Sequence, residues 1–67
     1  MYINIFAEMA RKQLDKDRMA KLMSITPELL EAKLNKKNIL TIKDIFKMQK
    51  IFNKKYCTFE YLLNEKV

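Results

Sequence analysis

Not one of the 67 residues is a glycine, and only one, Pro27, is a proline. Glycine supplies left-handed backbone without steric cost, and proline pre-sets many turns. A chain with no glycine and a single proline has few places to reverse direction. It reads as short helices joined by brief polar connections, with no strands.

The helix signals follow in order. A first helix is predicted over residues 3–13, with Phe6, Met9 and Ala10 facing inward and Leu14 closing it. Asp15 caps a second helix at about 16–23, where Met19, Ala20 and Met23 fall at helical spacing. Ser24-Ile25 is the turn. Thr26-Pro27-Glu28 opens a third helix at about 27–34: a capping hydroxyl, proline at the first helical position and an acid in the first turn. Asn35-Lys36-Lys37-Asn38 is a polar, basic loop. Thr41 with Asp44 three residues on starts a fourth helix, whose buried stripe is Ile45, Met48, Ile51 and Phe52. Asn53-Lys54-Lys55 breaks that pattern, and residues 58–63 form a last short helix. The expectation is an all-α, compact bundle of five short helices in one domain, residues 1–67, without internal repeats.

Several function classes fall away. The chain has no histidine, one cysteine (Cys57) and one serine (Ser24). The usual zinc and transition-metal ligand sets cannot be assembled, no imidazole activates a nucleophile, and no glycine-rich loop cradles a phosphate. Asp15, Asp17, Glu28 and Glu31 fall at helix starts, where capping and dipole complementarity account for them. No enzyme, metal or cofactor is expected. Cys57 reads as a small packing residue in a reducing compartment. No apolar run approaches the roughly 20 residues of a membrane span, and nothing resembles a cleavable signal, so a cytoplasmic protein without a membrane partner is expected. The net charge of +6 favours a polyanion, nucleic acid before membrane surface.

Residues 14–34 have the form of two short helices separated by a tight turn, with Ala20 where the helices would touch. That is a helix-turn-helix, whose commonest use is to lay the second helix in the DNA major groove. Three segments carry a fuller likeness: Ala7-Glu8-Met9-Ala10-Arg11-Lys12, then Met19 to Thr26 across the turn, then Lys33-Leu34-Asn35-Lys36-Lys37 with Leu40 to Ile45. Phe59-Glu60-Tyr61-Leu62-Leu63 matches a closing helix. In these the chain resembles the Cro/repressor-type helix-turn-helix family of phages and their bacterial relatives, most of all its short single-domain branch. The resemblance implies a lambda-repressor-like DNA-binding fold and a small phage or prophage transcriptional regulator in the bacterial host cytoplasm.

The departures from the family pattern are specific. Lys16 stands where many members have a phosphate-binding Gln. Ser24 and Lys36 stand where members carry Gly, so left-handed backbone there would cost about 1 kcal/mol each. Met9 and Leu34 replace an Arg–Glu pair with an apolar contact.

The resemblance places the reading positions on Pro27, Glu28, Glu31 and Ala32, with Leu29 nearby and Thr26 at the helix start. Arg, Lys, Asn and Gln, the usual readers of guanine and adenine, are missing there. Phosphates would pass Lys16, Lys36, Lys37 and Asn38, with Arg11, Lys12, Lys33 and Lys43 adding to the same face. Double-stranded operator DNA is the implied partner. One unit reads too few base pairs, so a homodimer is expected through residues 56–63, where Tyr56, Phe59, Tyr61 and Leu62 exceed what a tiny core can bury. The acidic and apolar third helix also suits a protein surface. The alternative is therefore a repressor modulator or antirepressor that binds another repressor through Glu28, Leu29 and Glu31.

Overall fold

A computed structural model describes residues 2–65, and among them the secondary structure is five helices and no strand. They are α1 (Ile3–Arg11), α2 (Lys16–Leu22), α3 (Pro27–Leu34), α4 (Ile42–Phe52) and α5 (Phe59–Leu62). Four of the five begin on a side-chain cap. Asp15 accepts from the Arg18 amide, Thr26 from Leu29, Thr41 from Asp44 and Thr58 from Tyr61. Each satisfies one of the orphan amides of a first turn. At α4 the box is complete, because the Asp44 carboxylate also accepts from the Thr41 amide at 2.9 Å.

The helix ends explain how a chain without glycine turns. Gln13, Ser24, Lys36 and Asn53, which follow α1 to α4, all lie in the left-handed region, with φ between 53° and 64°. After α1, α2 and α3 the next amide reaches back to the fifth carbonyl before it: Leu14 to Met9 (2.8 Å), Ile25 to Ala20 (3.0 Å) and Lys37 to Ala32 (2.8 Å). These are Schellman ends, built with glutamine, serine and lysine at the position that favours glycine. The cost foreseen at Ser24 and Lys36 is incurred, and Gln13 adds to it. Asn tolerates this conformation better.

The core gathers residues from every helix, with Ile5, Met19, Ala20, Met23, Leu30, Ile45, Met48, Phe52 and Leu62 almost completely buried. Met9 and Leu34 lie in it as well. The inward face of α1 differs from the expected one. Ile5, Glu8 and Met9 point in, while Phe6 and Ala10 are exposed. The helix also stops at Arg11 rather than 13. The rotation follows from Glu8, which the bundle can bury because it supplies the carboxylate with donors. On α4, Ile45, Met48 and Phe52 are buried, but Ile51 is only half-buried.

The helices with the most extensive mutual packing are α2 and α3. The whole forms a compact globule with a radius of gyration of 10.6 Å. No helix among the described residues is long and apolar enough to cross a membrane.

Candidate nucleic-acid interface

The α2–turn–α3 unit places most of the residues singled out by the sequence on or beside one exposed helix. Thr26 is spent in part as the α3 cap, with Leu29 N–H donating to its hydroxyl at 3.1 Å. Pro27 occupies the first turn of α3 and is half-buried, as are Leu29 and Ala32, whereas Glu28 and Glu31 are exposed. Glu28, Glu31, Ala32, Asn35 and Lys37 line one shallow hollow along α3. A second hollow, on the loop side, is lined by Tyr2 and by the run from Lys36 to Leu40. Asn38 sits in that run, and its side-chain oxygen accepts from the Ile39 amide at 2.7 Å.

Electrostatics divide these residues in a way the sequence did not disclose. Lys16 lies 3.2 Å from Glu31, so a lysine assigned to phosphate meets a carboxylate assigned to a base. Lys36 lies 2.7 Å from Glu65. The Glu65 carboxyl is lowered chiefly by that hydrogen bond, and the Lys36 ammonium is raised by the same contact. Both pairs are exposed, so each is easily exchanged for another anion. Lys37 has no carboxylate partner among the described residues.

Two cations expected on this face belong elsewhere. The Lys33 ammonium is buried and sits 2.5 Å from Asp44, joining α3 to α4. Arg11 pairs with Glu8 and donates to the Tyr61 hydroxyl at 3.3 Å. The Lys33 ammonium is thereby withdrawn from phosphate, while the Arg11 guanidinium is tied to α1 and α5 but stays exposed. Sequence spacing could not reveal the Lys33–Asp44 pair or the Arg11–Tyr61 bond, whose partners lie on other helices, whereas Glu8 stands three residues before Arg11 on α1.

The aromatic surplus expected at residues 56–63 is likewise used within the bundle. Leu62 is buried, and Phe59 and Tyr61 are half-buried against the core. Tyr56 remains 47% exposed, yet its hydroxyl donates to Glu8 at 3.0 Å and its ring meets Tyr61 edge-on. The most exposed large apolar side chains are instead Ile39 (75%) and Ile42 (63%), on the loop before α4 and at its start. Cys57 is buried, which raises its thiol pKa and makes it a poor nucleophile.

Comparison with protein-family models, with curated proteins and with solved structures finds no match to this chain.

Proposed function

We propose that this chain is a small DNA-binding transcriptional regulator of the Cro/repressor helix-turn-helix type, with α3 as its groove-facing helix. The observation that carries the reading is the α2–turn–α3 unit itself. Ala20 is fully buried beside the turn, Ser24 makes the left-handed corner, and Ile25 closes it on the Ala20 carbonyl. That corner lets two short helices pack closely while the outer side of α3 stays accessible.

Lys37 and the exchangeable Lys16 and Lys36 supply phosphate contacts at either end of α3. Glu28 and Glu31 are the residues of α3 most exposed to a groove. A carboxylate there accepts from cytosine N4, while Ala32 and Leu29 suit a thymine methyl. DNA would displace Glu31 and Glu65 from their lysines, an exchange of one anion for another. Pairing on two half-sites calls for a homodimer.

The acidic outer face of α3 supports a second reading, a module that binds another repressor. In that case Leu29 anchors the contact, and Glu28 and Glu31 meet basic side chains of the partner.

A selection of duplex sequences from a random pool separates the two. Enrichment of a paired motif that Glu28→Ala or Ala32→Val alters supports the regulator. A pool that emerges random rejects α3 as a reader and leaves the protein-binding module.

A further inference from the structure

The positive charge is not concentrated on the helix-turn-helix. Residues 15–38 carry six lysines and arginines against four acids, a formal +2. Residues 42–55 carry Lys43, Lys47, Lys50, Lys54 and Lys55 against Asp44 alone, a formal +4 out of the chain's +6. Asp44 is itself buried and held by Lys33, so it neutralises none of the five.

The five lysines are all exposed. Lys43, Lys47 and Lys50 recur at i, i+4 and i+7, which places them in one row about 10 Å long on the outer side of α4. Lys54 and Lys55 continue from its C-terminal end. Lys47 alone is anchored, donating to the Met23 carbonyl at 3.1 Å at the end of α2. No carboxylate among the described residues pairs with any of the five. Of the lysines beside α3, Lys16, Lys33 and Lys36 are engaged by acids, and Lys37 alone has no such pair among the described residues.

From this we infer that the outer face of α4, with the turn after it, is a second phosphate-binding surface, and that it takes the sugar-phosphate backbone of a nucleic acid duplex. The inference rests on nucleic acid being the partner proposed above. It assigns most of the affinity to α4, where unneutralised ammonium groups release the most counterions. Sequence preference stays with α3. The row has no planar or bidentate donors, so it contributes strength without selectivity.

The test is a salt titration of a labelled random-sequence duplex, read by fluorescence anisotropy. It compares the full chain with Lys43→Ala/Lys50→Ala/Lys54→Ala and with Lys16→Ala/Lys37→Ala. Lys47 is kept for its bond to Met23, and far-UV circular dichroism checks that every variant retains its helices. Each lost phosphate contact flattens the log–log slope by about 0.9. The α4 triple variant is expected to lose two to three units of slope, and the α3 pair about one. If the triple variant keeps the full slope while the α3 pair loses binding, the α4 surface is rejected and the α3 reading stands. If the triple variant loses binding and the α3 pair does not, α4 is upheld and α3 is rejected. A wild-type chain that ignores duplex at low salt overturns both. Phosphatidylglycerol vesicles bound under those same conditions would reassign the lysine row to a membrane surface.

Discussion

The Tyr61 hydroxyl donates a 2.7 Å hydrogen bond to the carboxylate of Glu8, 53 residues earlier in the chain. Tyr56 donates to the other oxygen, and Arg11 completes the set. A glutamate that is only 1% exposed is thereby fully satisfied, and no buried side-chain polar atom among the described residues is left without a partner. Loss of one hydroxyl removes a charge-assisted bond worth about 1.5–3 kcal/mol. Tyr61→Phe should therefore lower unfolding free energy by about 2 kcal/mol in urea titrations. An unchanged midpoint would show that water replaces the hydroxyl.

The same carboxylate sets an acid limit. Burial pushes the Glu8 pKa upward, but the bonds from Tyr61 and Tyr56 and the Arg11 charge outweigh it, leaving it below its ordinary 4.5. Asp44, opposed by burial and held down by Lys33 and Thr41, lies below 3.8. Groups whose folded pKa is depressed contribute stability above the unfolded value and lose it as pH falls through the folded one. Stability should be flat from pH 7 to about 5 and decline below about 4.5. Glu8→Gln should be less stable at pH 7 and show a shallower decline, read from melting temperatures across that range.

Lys33 and Asp44 form a different kind of pair, with both partners buried. Removing one charge strands the other, at a cost of about 3–5 kcal/mol. Asp44→Asn should incur most of that cost, and Lys33→Met added to it should recover a large part. A double variant no more stable than the single would mean that Asp44 acts mainly through the α4 cap.

The caps, by contrast, were legible in the sequence. Asp15, Thr26 and Thr41 each act on an amide three residues away, so a local reading finds them, while Thr58, expected as the first residue of the last helix, is its cap. Lys33–Asp44, Lys16–Glu31 and Glu8–Tyr61 are separated by 11, 15 and 53 residues. Nothing within a helical window announces them. The inward face of α1 was misread for the same reason, because Glu8 is inward only once Tyr56 and Tyr61 are in place. The candidate interface was legible as a set of positions on and around α3, but not as a distribution of charge, since neutralisation depends on partners from other elements.

Left-handed residues give a stability prediction free of any contact. Gln13 has φ 56° and is exposed, so Gln13→Gly removes a Cβ clash and leaves the Schellman bonds intact. Stability should rise by about 1 kcal/mol, a shift of several degrees in melting temperature for a domain of this size. Asn53→Gly should gain less. A Gln13→Gly variant that melts lower would mean that the glutamine side chain matters more than its backbone.

Glu31 is the sharpest probe of the exposed pair with Lys16. Glu31→Gln frees the lysine and removes a negative charge from α3, so nonspecific duplex affinity should rise several-fold at low salt. Weaker binding would show that the acid takes part in readout. Leu29→Ala should leave nonspecific DNA binding unchanged, whereas loss of a captured repressor with this variant would favour the protein-binding module.

The tie between Glu8 and Tyr61 also bears on how the molecule is made. A nascent chain exposes α1 first, yet the donors that allow the α1 carboxylate to be buried lie on the last helix and just before it. Until residue 61 has cleared the ribosome, the inner face of α1 carries a charge with no home, and the bundle cannot close around it. Closure of the bundle therefore waits on the segment that carries Tyr56 and Tyr61, however early α1 is made.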